Sequence, residues 1–285
     1  MYIYLDNAAT SHPKPESVYR RVEHVLRDLS ANPGRSGHRL AIEADRVVFE
    51  ARESIARLFN IRHPDRIVFT QNATCAINLA LRGLLQPGDH CVTTDMEHNS
   101  VVRPLRHLAQ LGVDVVKVRA TPEGCISPGD ISSAIDCRTR LVSVTHASNV
   151  IGTITPIAGI IAEAHRKDVP VLVDASQTAG SVPIDVEALG LDLLACPGHK
   201  GLLGPQGTGF LYISPKIQLS PLVHGGSGSR SDLDRMPDFL PDRFEAGTLN
   251  TPGIGGLGAG AEFIVSETVD RIREHDMALC ARLAE

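Results

Sequence analysis

The sequence predicts an α/β fold, a mainly parallel seven-stranded sheet flanked by helices. Three observations predict it. Brief β-branched runs, apolar on both faces, recur along the chain. Helix-period segments separate them. A polar cluster follows run after run, which is where an open parallel sheet gathers its ligands.

The elements are justified in order. Helical patterning covers 15–29 and 37–59, ahead of the first strand. Strands are expected at "RIVFT" (66–70), "HCVTT" (90–94), "DVVKV" (114–118), "LVSVTHA" (141–147), "VPVLVDA" (169–175) and "LDLLAC" (191–196). Each reads as buried on both sides. Between them lie the helical segments 73–85, 100–112, 127–136 and 157–168. Strand–helix–strand repetition implies right-handed crossovers and parallel neighbours. "GTGFLYIS" (207–214) follows its predecessor with no room for a crossover helix, so it is expected to be antiparallel. The run from about Gly255 to Glu285 reads as one helix.

The 285 residues are 42% hydrophobic and 21% charged, with a net charge of −5. That is the profile of a soluble globule, and it argues against nucleic acid or an anionic membrane surface as partners. The N-terminus has neither a signal-peptide nor an anchor pattern, and no segment approaches about 18 uninterrupted apolar residues. Six cysteines, at 75, 91, 125, 137, 196 and 280, form no C-x-x-C pair and no zinc-spaced His/Cys cluster. No metal site is expected. Scattered thiols fit a reducing, cytoplasmic compartment.

The strand ends carry the chemistry. Asp174 closes an apolar run, and a buried carboxylate needs a partner: an arginine, a backbone cap or a protonated pyridine nitrogen. Lys200 ends the next strand, in the glycine-rich stretch "CPGHKGLLGPQGTG" (196–209), whose glycines are expected to leave room for a ligand. A lysine there is a surface charge or a nucleophile that burial helps to deprotonate. His199 either contributes to that or binds phosphate. Thr74 opens a helix after a strand, where free N–H groups favour an anion. An anion cradle, a carboxylate for a ring nitrogen and a Schiff-base lysine are the protein's parts of a pyridoxal-phosphate site. Two further motifs are set aside. "GIGGLG" (253–258) has the G-x-G-x-x-G spacing, but no strand precedes it, and it reads as the glycine-rich start of a helix. "GPQGTG" (204–209) lacks the G-K-[ST] ending of a nucleotide loop.

Seven segments in order, "YLDNAAT", "ANPGRSGHRLA", "EHNS", "HASNVIGT", "VDASQTAG", "GHKGLLGPQGTGFLY" and "FEAGTLNTPGI", resemble the class V aminotransferase family. The nearest branch is its cysteine desulfurase and selenocysteine lyase group. The resemblance implies the large domain of a fold-type I enzyme that uses pyridoxal 5'-phosphate, normally as a homodimer. It implies Lys200 as the Schiff-base lysine and His98 as the ring-stacking histidine that assists proton transfer. Asp174 matches the partner of the pyridine nitrogen and Gln177 the contact to the ring hydroxyl. Ala73, Thr74 and His199 match phosphate ligands, Asn149 a cofactor- and substrate-side amide, and Thr248 the threonine that reaches the other subunit's phosphate. "DNAAT" and "GRSGHR" match loops lining the substrate entrance.

The implied reaction releases sulfur from L-cysteine, giving alanine and an enzyme persulfide for a sulfur-acceptor protein. Selenocysteine as substrate, a transaminase of other specificity and a non-catalytic fragment are the alternatives. Two departures stand out. Pro197 replaces a Ser or Thr that binds phosphate in many relatives, and proline has neither hydroxyl nor N–H. The nucleophilic cysteine and the carboxylate-binding arginine of the family have no match here. They belong to a C-terminal small domain, so residues 1–254 are read as the cofactor domain and 255–285 as the start of an interdomain helix. A chain ending at Glu285 is expected to bind cofactor with little desulfurase activity. Cys196 reads as a buried structural thiol, and Cys75, at a helix start, as a thiol whose pKa is lowered.

Overall fold

The computed structural model describes residues 3–34, 37–230 and 232–285. Two helices come first, α1 (Glu16–Asp28) and α2 (Arg39–Leu58). Then β1 (Ile67–Thr70), α3 (Ala73–Leu84), β2 (His90–Thr94), α4 (Asn99–Gln110), β3 (Asp114–Val118), α5 (Pro128–Ala134), β4 (Thr139–Thr145), α6 (Ile157–His165) and β5 (Val171–Asp174) alternate. A short α7 (Val186–Leu189), β6 (Leu193–Pro197), β7 (Gly209–Ile213), α8 (Thr251–Glu267) and α9 (Val269–Ala284) complete the chain. All seven expected strands form one sheet, in the order β1-β7-β6-β5-β4-β2-β3. β7 runs antiparallel to both neighbours, as its short connection requires, and the other ladders are parallel.

Every strand but β3 is apolar on both faces because both faces are covered; edge strand β3 exposes Asp114, Val116 and Lys117, which corrects the expectation that it is buried on both sides. Along each strand, alternate residues enter different cores. Phe69, Val144, Val173, Leu194 and Phe210 pack with α2, α5, α6 and α8. Val68, Leu141, Leu172, Leu193 and Leu211 pack with α3 and α4. The two-residue period of the strand turns one continuous apolar run into two separate cores. Asp174 has the parity of Leu172, so it belongs to the sheet face that α3 and α4 cover.

The run from Gly255 onward differs from expectation. It forms two helices rather than one, and the first begins at Thr251. Ile254, Leu257, Ala261 and Ile264 bury one side of α8 in the core, and the helix packs on α1 and α2. Past Glu267 that core thins to the partly buried Val269 and Ile272. Thr268 adopts φ 68°, an uncommon conformation for a β-branched residue, and its hydroxyl caps α9 at the Arg271 N–H. α9 has no buried residue.

The "GIGGLG" glycines lie within α8 and serve packing. Gly255 lies against Val47 and Val25 and Gly258 against Ala51, and just past the motif Gly260 lies against the Leu202 carbonyl. A β-carbon at 260 would overlap that carbonyl, which is backbone and cannot swing aside. Gly260→Ala is therefore expected to cost about 1–3 kcal/mol. It also displaces the loop after Lys200. Its denaturation midpoint and its cofactor absorbance should both change.

Candidate active site

Parallel strands end along one edge, and the chain leaves that edge with polar residues. α3 starts there at Ala73 and Thr74, next to its N-cap Asn72, whose side chain accepts the Cys75 N–H at 2.9 Å. The amides of Ala73 and Thr74 belong to the first turn and have no intrahelical acceptor. α4 starts at the same edge with His98 as its N-cap. The His98 Nδ1 accepts the Ser100 N–H at 3.1 Å and lies 2.9 Å from the Ser100 hydroxyl, which fixes the ring. The helix starts that carry Thr74 and His98 both come from the two helices on the Asp174 face.

Asp174 is 2% exposed. One carboxylate oxygen accepts both the N–H and the hydroxyl of Ser176. Burial raises its pKa, opposed by Ser176 and by the charges of His98 and Lys200. The three sequence-derived residues of the ring site thus act on one another electrostatically. Lys200 is half-buried. Burial lowers its pKa, opposed by the Asp174 charge.

His199 precedes it with a lowered pKa, from burial first and then the charges of Lys200 and Lys14. Its Nδ1 is buried without a hydrogen-bond partner among the described residues. An orphaned buried ring nitrogen is costly unless something absent from the chain completes it. A phosphate would do so, with the open amides of α3 two strands away on the same edge. Pro197 closes β6 opposite Gly209 and offers that phosphate nothing. The donor set fits pyridoxal phosphate, with one ligand fewer.

The glycines around Lys200 do not leave space for a ligand, as a glycine-rich loop suggests. A β-carbon at Gly198 would overlap the Thr208 hydroxyl, and one at Gly201 would overlap the Ala179 carbonyl. They let the loop approach its own protein.

The N-terminal segment reaches that edge as a strap. The His199 carbonyl accepts from Ser11 N at 3.0 Å, Thr10 Oγ1 at 3.1 Å, Ser11 Oγ at 3.2 Å and Lys14 Nζ at 3.3 Å. Lys14 also donates to Ser11 Oγ at 2.7 Å, and burial lowers its pKa. Gln177, matched to the ring hydroxyl, donates its amide to Ala8 O at 3.3 Å. "DNAAT" therefore lies over the site. In "GRSGHR", Arg35 and Ser36 lie outside the described residues. Asn149 is exposed after β4. Thr248 is exposed and stands apart from this cluster, in the loop that Glu245 anchors near β1.

Several residues here carried no signal of a role in the sequence. Glu245 is 7% exposed and clamps the buried Arg52 with two 3.0 Å bonds. It also accepts the Phe69 N–H at 2.7 Å. Arg52 sits in the apolar stripe of α2, and a cation at a core position is the readable anomaly. Lys14 and Glu97 had no such mark beyond lying near a motif. The thiols follow burial. Cys196 is fully buried with a raised pKa, as expected. Cys75 is raised too, by partial burial of the thiol, which corrects the lowered value expected of it.

His146, after β4, is 4% exposed, and its Nδ1 has no partner among the described residues. Burial, then the Arg273 charge, lowers its pKa from 6.5 to about 4. Between those values the unfolded chain binds a proton that the native state refuses, so stability rises with pH and is lost as pH falls from 6.5 toward 4. The loss approaches about 3 kcal/mol. His146→Gln should flatten that part of a stability–pH curve.

With the geometry in place, the chain can be set beside known proteins. It matches the family described as Aminotransferase class-V over residues 3–285. It is 42% identical over 289 residues to a probable cysteine desulfurase of Methanothermobacter thermautotrophicus, covering 99% of this chain and 71% of that one. The apo structure of a cysteine desulfurase from Thermococcus onnurineus NA1 superposes with a TM-score of 0.91 at 34% identity, over 98% of this chain and 71% of that one. SspA, solved in complex with cysteine, superposes with a TM-score of 0.81 at 32% identity, over 92% and 72%.

Proposed function

The chain belongs to the class V aminotransferase family, and on that premise we propose that it is a pyridoxal-phosphate-dependent cysteine desulfurase. The observation that carries the reading is the grouping of half-buried Lys200, buried Asp174 and the orphaned His199 Nδ1 at one sheet edge. The relatives' names support cysteine as substrate, as does the SspA complex with cysteine.

Pyridoxal phosphate, when bound, supplies an electron sink for bond-breaking at the α-carbon of an amino acid. Lys200 is its covalent anchor, and its amine is the base for the α-proton, because burial weakens its hold on its own proton. Asp174 keeps a negative charge for the ring nitrogen. His98, fixed by Ser100, would lie against the ring and assist the proton's movement. Ala73, Thr74 and His199 would hold the phosphate, and Gln177 and Asn149 the ring hydroxyl and substrate side. Thr248, exposed in its own chain, is assigned to the phosphate of a second copy, which makes the enzyme a homodimer.

A sulfur-acceptor protein takes the product sulfur. A reducing, cytoplasmic compartment is supported by six free cysteines. Residues 1–254 serve as the cofactor domain and 255–285 as the lead to a small domain. α9, which has no buried residue and touches the core only through partly buried Val269 and Ile272, supports that role, whereas α8 is core. Borohydride reduction of the holoprotein, followed by peptide mapping, should find a pyridoxyl adduct on Lys200, whereas sulfide release from L-cysteine should be small, because the family's nucleophilic cysteine has no match among these residues. No adduct at Lys200 would sink the reading.

A further inference from the structure

One buried acid has no part in the roles above. Glu97 follows β2, immediately before His98. Its Oε1 accepts the Thr94 hydroxyl at 2.7 Å and the Thr145 N–H at 3.0 Å, so one carboxyl oxygen ties the end of β2 to the end of β4. Its Oε2 is buried and has no partner among the described residues. Thr145 lies in register with Asp174 on the next strand, which brings two buried carboxyls side by side.

Two carboxylates in one dry site do not both ionise readily, so one of them keeps a proton. The surroundings choose which. Asp174 faces His98 and Lys200 and takes two bonds from Ser176. Among the described residues, Glu97 has no cation acting on it. Its neighbours are the Asp174 carboxyl on β5 and, on β2, the buried Cys91 thiol. An ionised Glu97 would leave Oε2 as a bare buried anion, whereas a protonated one leaves only a hydroxyl.

We propose that Glu97 is a neutral carboxylic-acid brace, a positioning residue that ties the His98 segment to β4 and leaves Asp174 as the single charged carboxylate beneath the cofactor. The Asp174 part rests on the pyridoxal-phosphate reading, and the protonation state does not. Burial, then the Asp174 charge, raises the Glu97 pKa to about 8, with the two bonds to Oε1 opposing, so the acid persists through neutral pH.

The decisive measurement uses the apoprotein. Its infrared spectrum at pH 7 should contain a protonated-carboxyl band that Glu97→Gln removes, and in wild type the band should fade as pH rises through about 8. Pyridoxal-phosphate affinity supplies the second arm. Glu97→Gln reproduces the neutral acid and should bind within about threefold of wild type, whereas Glu97→Ala should bind at least about tenfold more weakly. Identical spectra for wild type and Glu97→Gln, or Glu97→Ala binding as tightly as wild type, would overturn the brace. If no variant or wild type binds the cofactor, the functional reading falls, and the infrared band still decides the state of Glu97.

Discussion

Lys200→Ala abolishes the borohydride-trapped pyridoxyl adduct and lowers α-proton exchange of an amino-acid substrate by roughly 10³-fold or more. The size follows from the two tasks assigned to one amine, covalent attachment and proton transfer, the latter alone contributing about 10²–10⁴-fold. The surroundings make the amine competent. Burial lowers its pKa, and the Asp174 charge keeps that lowering modest. Removing it also takes away one of the two charges that favour ionised Asp174, so that carboxyl should hold its proton more firmly. The measurement is adduct mapping with cofactor absorbance, and Lys200→Arg is the informative control. Arginine keeps the charge beside Asp174 but stays protonated. It should restore Asp174 without restoring the adduct. A persistent adduct in Lys200→Ala would place the anchor elsewhere.

Glu245→Ala is expected to cost about 3–5 kcal/mol, a large share of the 5–15 kcal/mol that holds a typical protein together. The loss is not that of a surface ion pair. Arg52 and Glu245 are 5% and 7% exposed, and their two 3.0 Å bonds form a planar fork. The same carboxylate accepts the Phe69 N–H, and the Arg52 guanidinium lies 4.5 Å above the Phe69 ring. Removing Glu245 leaves a buried cation and an orphaned strand amide together. Denaturant unfolding of the apoprotein measures the loss. A paired Arg52→Met, Glu245→Leu variant should recover much of it, because no buried charge then lacks a partner. That variant still binds cofactor at Lys200 if Glu245 serves only the fold. If Glu245→Ala is as stable as wild type, the clamp is not what holds the loop carrying Thr248.

How much of this was legible follows from where each signal resides. The strands were legible because burial on both faces leaves a local record, an unbroken β-branched run. The antiparallel β7 was legible because the segment after Lys200 is too short for a crossover. The Gly255–Glu285 run misled, since apolar periodicity continues across Thr268 while the core it serves does not. Only packing against α1 and α2 distinguishes the buried half from the exposed one. The glycines of the lysine loop misled for a related reason. A glycine's sequence neighbours do not reveal what its missing β-carbon would meet, and at Gly198 that is Thr208, ten residues away.

By itself the sequence determined the strand set, the connections that make the sheet parallel and the polar residues at its edge. Those depend on spacing along the chain, and spacing is a local property. The tertiary structure alone decided which of those residues share an environment. Asp174 comes under the charges of His98 and Lys200, His199 is left with an unpartnered nitrogen under the N-terminal strap, and Glu97 becomes a second buried acid beside the first. Charge state depends on burial and on neighbours brought from distant parts of the chain. No stretch of sequence contains that, because the electrostatics of a site belong to the space between its elements.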